Sequence, residues 1–174
     1  NLAIAAAVKL GQAEDPDLPT SCGSAYDNSA WLKGLLLFYP VVKAFGDNSD
    51  SWREFGNGYG LDSGIMEAFN QAYVGDNSPY IPLISPYFAS EKHLAVLPEM
   101  LVVNAGHDIL CDQGEEFCLK VSGAGGRVTR CLFPEATHLF ITVPGQPTAF
   151  AEAVRLSASF LSGIVARSRD ELEP

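Results

Sequence analysis

The chain has 174 residues, 47% of them apolar and 18% charged, with a net charge of −10. That length and apolar content describe one globular domain able to bury a core, and exclude a disordered segment. The negative charge excludes a phosphate-binding face of clustered Lys and Arg, so no nucleic-acid partner is expected. The longest apolar run, residues 35–42, is far short of the roughly 20 residues a membrane span needs, and no basic amphipathic stretch suggests a membrane-surface helix.

Residues 1–11 read as a helix with Leu2, Ala3, Ala6, Ala7 and Leu10 on one face and Gly11 at its end. The chain opens at Asn1 with neither an initiator Met nor a residue before it to cap that helix, which reads as a start in mid-domain. Residues 14–30 are acidic and hold Pro16, Pro19 and Gly23, the marks of a surface loop. Residues 31–39 form an apolar run closed by Pro40, as expected of a parallel strand buried on both faces.

Residues 43–83 read as an excursion from the sheet. Asp62 is placed to cap a helix carrying Met66, Phe69 and Tyr73 at three- and four-residue spacing, before Pro79, Pro82 and Pro86 interrupt regular structure. Ser85-Pro-Tyr-Phe-Ala89 is a turn into a short helical segment. Residues 99–104 are a second buried strand. Asp112 is placed to cap a helix running to about Ser122, with Phe117, Leu119 and Val121 supplying apolar contacts. Residues 127–133 are a third strand with Val128 and Leu132 inward, and 134–140 a loop. Pro147 opens a last helix whose Phe150, Val154, Leu161 and Val165, with Phe160 and Ile164, form one broad stripe. This order predicts an α/β fold: parallel strands with flanking helices and a helical insertion after the first strand.

Sites in such sheets form beyond the carboxyl ends of the strands. Asp108 follows the second predicted strand and His138 the third. Adjacent strands would bring an acid and an imidazole to one edge, where a carboxylate can orient a general base. The order acid then histidine is that of the Ser…Asp/Glu…His apparatus, yet no Gly-x-Ser-x-Gly occurs. Gly60-Leu-Asp-Ser-Gly64 has the wrong spacing. His107 and His93 read as structural and solvent-facing. No metal is expected: three scattered histidines and four cysteines (Cys22, Cys111, Cys118, Cys131) lack ligand spacing, and free thiols point to a reducing, cytoplasmic setting. An even cysteine count also permits a disulfide.

Taken in order, the segments resemble the C-terminal half of a hormone-sensitive-lipase-type α/β-hydrolase, the carboxylesterase family. Asn1-Leu-Ala-Ile-Ala-Ala6 resembles the helix after that family's nucleophile elbow. Gly34-Leu-Leu-Leu-Phe-Tyr-Pro40 resembles its sixth strand, and Ile84-Ser-Pro86 with Leu97-Pro98 the approach to the seventh. Residues 103–114, Val-Asn-Ala-Gly-His-Asp-Ile-Leu-Cys-Asp-Gln-Gly, resemble the acid loop, and His138-Leu-Phe140 stands where the family usually has His-Gly-Phe. The resemblance implies a serine carboxylesterase with Asp108 as triad acid and His138 as base, acting on a small ester without a cofactor. It implies substrate contacts from Met66, Phe69, Tyr73, Ile109 and Leu139. It also implies that the serine lies outside this chain, and that residues 1–174 are a partial domain whose first strand pairs with an N-terminal half absent here. The alternatives are a non-catalytic small-ligand receptor on the same fold, and an inactive fragment.

Overall fold

A computed structural model describes residues 1–12 and 32–170. The predicted loop 14–30, Trp31 and Cys22 lie outside the described residues. The elements are α1 (Leu2–Gln12), β1 (Leu35–Phe38), α2 (Asp50–Glu54), α3 (Ser63–Val74), a 3-10 turn (Pro86–Phe88), α4 (Glu91–Ala95), β2 (Met100–His107), α5 (Cys111–Gly123), β3 (Val128–Thr137) and α6 (Pro147–Asp170). The three strands form one parallel sheet in the order β1-β2-β3, with Leu35 opposite Met100 and Met100 opposite Val128.

Side chains alternate across a strand, so each strand feeds two cores. Leu35, Leu37, Met100 and Val102 face Ile4 and Val8 of α1, Leu94 of α4, and Phe117 and Val121 of α5. Leu101, Val103, Ala105 and Phe133 face the other way, against Phe140 and Ala153, with Phe160 packed beside them. The result is helix, sheet, helix, as the continuous apolar runs implied. A third cluster of Trp52, Met66, Ile109 and Leu110 fastens the insertion to the turn after β2. Each large apolar side chain so buried contributes about 1.5–3 kcal/mol.

Both β2 and β3 run past their predicted ends. β2 continues through Ala105-Gly106-His107. β3 continues through Pro134, which lacks an N–H to donate and is confined to sheet edges and bulges. The register supplies one: Ala105 pairs with Phe133 but His107 with Thr137, so residues 134–136 stand opposite Gly106 alone. Such a bulge bends the strand and re-aims the residues beyond it, here His138. Phe133, not Leu132, is the inward residue of that stretch; Leu132 is exposed.

The helices depart from expectation at their ends and faces. α5 starts at Cys111 with Leu110 at the cap position, so Asp112 sits inside the first turn. Its Oδ2 instead accepts from the Ser51 N–H at 2.8 Å, and the Asp112 N–H donates to Ser51 Oγ at 3.2 Å. This reciprocal tie joins α5 to α2, a helix that the polar composition of 43–61 concealed. Asp62 precedes α3 but accepts from the Gly58 N–H at 2.8 Å rather than from the helix. On α5, Phe117 and Val121 are buried whereas Leu119 is exposed.

α6 presents Ala153, Phe160 and Ile164 to the sheet side, where a Cβ on Gly34 would meet Ile164 at 3.0 Å. Phe150, Val154, Leu161 and Val165 are exposed instead, so the predicted stripe divides into an inner and an outer line. By length and composition α6 is apolar enough to cross a membrane, a feature missed by counting unbroken apolar runs. Its inner line packs against this domain's sheet-side core. Cys111, Cys118 and Cys131 are free thiols. Burial pushes the Cys118 thiol up to about 11.

Candidate active site

Asp108 is the first residue after β2, and His138 the first after β3. Parallel pairing carries both to the same sheet edge, and the bulge in β3 closes the remaining gap. Asp108 Oδ2 lies 2.7 Å from His138 Nδ1. The carboxylate is 1% exposed and the imidazole 10%. The other carboxylate oxygen, Oδ1, accepts the Leu110 N–H at 2.9 Å, while the Asp108 carbonyl accepts the Cys111 N–H at 3.0 Å. A buried carboxylate with both oxygens engaged is held in one orientation. It fixes Nδ1 as the protonated nitrogen of His138 and leaves Nε2 to move a proton.

Close backbone approaches build this corner. A Cβ on Gly106 would fall 2.1 Å from the Pro134 carbonyl oxygen, so the two strand ends meet only because residue 106 has no side chain. Gly60, in the loop before α3, has φ +99, and a Cβ there would lie 2.9 Å from the His138 carbonyl oxygen. The insertion therefore leans directly on the histidine loop. Leu139 has φ 66, in the left-handed region that favours glycine. Its carbonyl accepts the N–H groups of Thr142 and Val143 at 2.8 and 2.9 Å, closing a turn that sets His138.

Gln113 stands out in no sequence pattern, yet it is fully buried. Its Oε1 accepts the N–H groups of Val42 and Lys43 at 2.9 and 3.0 Å, tying α5 to the chain leaving β1. Ser51 Oγ donates to the Ile109 carbonyl at 3.1 Å, one residue from the acid. Tyr39 at the end of β1 packs its ring 4.4 Å from the imidazole. The signal for Tyr39 is its place at the carboxyl end of a strand, the same rule that locates the acid and base. Gln113 and Ser51 carry no comparable mark.

The five residues expected to touch substrate do not converge. Met66 and Ile109 are buried together in the cluster with Trp52, the ordinary core face of α3. Phe69 and Tyr73 are exposed on the outer side of α3, and the Tyr73 hydroxyl donates to Asn1 Oδ1 at 2.9 Å. Leu139, half-buried, directly follows His138, as Ile109 directly follows Asp108. A cavity of about 320 Å³ beside α3, lined by Phe45, Asn70, Val74 and Pro79, includes none of the five. His107 packs against Phe55 and Tyr59, at 5.2 and 5.6 Å between ring centroids. His93 accepts or donates at Ser90 Oγ, 2.9 Å away, and is half-buried rather than solvent-facing. Among the described residues no three His, Cys, Asp or Glu side chains gather as a metal site.

Known proteins are similar to this chain in sequence and fold. A family model described as the alpha/beta hydrolase fold matches residues 1–142. A putative alpha/beta hydrolase, R526, of Acanthamoeba polyphaga mimivirus is 36% identical over 95 residues, 54% of this chain and 27% of that protein. Carboxylic ester hydrolase LipN of Mycobacterium tuberculosis is 31% identical over 109 residues, 62% of this chain and 28% of that protein. A solved esterase of Rhizomucor miehei superposes with a TM-score of 0.77 at 27% identity, covering 94% of this chain and 48% of that one. The chain thus spans less than half the length of each of these three. It belongs to the α/β-hydrolase fold family, of the hormone-sensitive-lipase type.

Proposed function

We propose that this chain supplies the acid and base of a serine carboxylesterase that cleaves small carboxylic esters through an acyl-enzyme. The observation that carries the reading is the 2.7 Å bond between a buried carboxylate and an imidazole at adjacent strand ends. The nucleophilic serine and the oxyanion donors come from an N-terminal segment of the same fold, outside these residues. Two surfaces support that partner: β1, a strand paired on one side only among the described residues, and the exposed outer line of α6.

In this mechanism Nε2 of His138 takes the serine proton as the serine oxygen attacks the ester carbonyl. The tetrahedral species collapses, the C–O bond to the alcohol breaks, and Nε2 returns the proton to the departing alkoxide. Water then attacks the acyl-enzyme with the same base, releasing the acid and restoring the serine. Asp108 stays ionised throughout and stabilises the imidazolium formed in each half. His138→Ala in the complete protein should cut turnover of a p-nitrophenyl ester about 10⁴- to 10⁶-fold, the scale of losing a triad member. Undiminished turnover would sink the assignment.

A further inference from the structure

Asp108 holds His138 through one nitrogen, and a single hydrogen bond leaves the ring able to swing about it. The ring packed directly on the imidazole is that of Tyr39, at 4.4 Å between centroids and tilted by 51°. Tyr39 also meets Phe140 edge-on at 6.0 Å. Thr142 Oγ1 donates to the Leu139 carbonyl at 3.2 Å, within the turn that follows the histidine. Contacts thus run from the end of β1 to His138 itself and to Phe140, two residues on.

The backbone of Tyr39 bears a cost for this placement. Its φ is 35, uncommon for a residue with a bulky side chain, although its N–H still bonds the Val103 carbonyl at 2.7 Å. Pro40 comes next and restricts the residue further. Strained residues of this kind persist where the surroundings over-determine them, and they gather at functional sites. An aromatic face beside the imidazole also favours the imidazolium that forms during proton transfer. Burial keeps the phenol protonated by raising it above its ordinary value, so its hydroxyl remains neutral.

We propose that Tyr39 is a positioning residue for His138, its ring fixing the plane of the imidazole. The proposal rests on His138 being the base. The test uses the complete protein with Tyr39→Leu and Tyr39→Phe, read by ester kinetics and by the His138 Nδ1–H resonance in NMR. Tyr39→Leu should lower kcat about 10- to 100-fold with KM within twofold, the scale of a slightly misplaced catalytic group, and should broaden the Nδ1–H signal. Tyr39→Phe keeps the ring and should retain kcat within about threefold. If leucine prevents folding, Tyr39→Met serves in its place. A ringless variant that keeps both kcat and the Nδ1–H signal overturns the proposal, as does a phenylalanine variant that loses as much as leucine. An inactive parent protein would refute the esterase reading instead, and the NMR comparison would still decide whether Tyr39 orders the imidazole.

Discussion

Gly106→Ala changes neither the acid nor the base, yet it acts on the contact that brings them together. The new methyl carbon would start 2.1 Å from the Pro134 oxygen and 2.7 Å from the carbonyl carbon and Cα of the same residue. All three are backbone atoms, so no side-chain rotation relieves the overlap. Moving that oxygen from 2.1 Å to beyond 3.0 Å requires β3 to retreat by about 0.9 Å. Passed on to His138, the same retreat stretches the 2.7 Å Nδ1–Oδ2 contact to about 3.6 Å, beyond hydrogen-bond range. Overpacking costs about 1–3 kcal/mol, and a hydrogen bond to a charged group contributes about 1.5–3 kcal/mol. The expected loss of stability is therefore about 2.5–6 kcal/mol, with ester turnover falling at least about tenfold. Urea titration and p-nitrophenyl ester assays of the complete protein read both quantities. A loss under about 0.5 kcal/mol together with unchanged turnover would refute the claim that the Gly106–Pro134 approach sets the pair.

Two other positions probe neighbouring parts of the corner. Leu139→Gly relieves a left-handed backbone worth about 1 kcal/mol but gives up a half-buried side chain, so stability should move by less than about 1 kcal/mol. Leu139→Val keeps apolarity but worsens the backbone, and should cost more than the glycine variant in the same thermal melt. Gln113→Leu strands the buried N–H groups of Val42 and Lys43, and should cost about 2–4 kcal/mol in urea titration.

How much of the fold and site is legible in the sequence depends on how far each feature reaches. The apolar runs 35–38 and 100–104 need only local pattern, and the acid-then-histidine order needs only the rule that sites sit at strand ends. Both are legible in a single chain. The bulge at Pro134 is not, because a proline after an apolar run reads as a strand end until the opposing glycine is known. Asp112 and Asp62 have the composition of helix caps, but the distant Ser51 N–H claims the first carboxylate and the nearby loop N–H of Gly58 the second. The stripe on α6 shows apolar spacing, which fixes a face and not what covers it. Met66 and Phe69 share the spacing of one helical face, yet one points into the core and the other outward. Tyr39 and Gln113 act through contacts far along the chain, with Gln113 reaching across 71 residues to Val42.

The account stands on Asp108 orienting His138 for proton transfer, and Asp108→Asn tests that link most directly. An asparagine has the same shape but offers one acceptor oxygen where the Leu110 N–H and His138 Nδ1–H now use two. Either a buried donor goes unpaired, or the amide donates to Nδ1 and moves the imidazole proton to Nε2, where it blocks the base. In the complete protein, p-nitrophenyl ester turnover should fall about 10⁴-fold while the fold persists. Turnover within a few-fold of the parent, in a folded variant, would contradict the account.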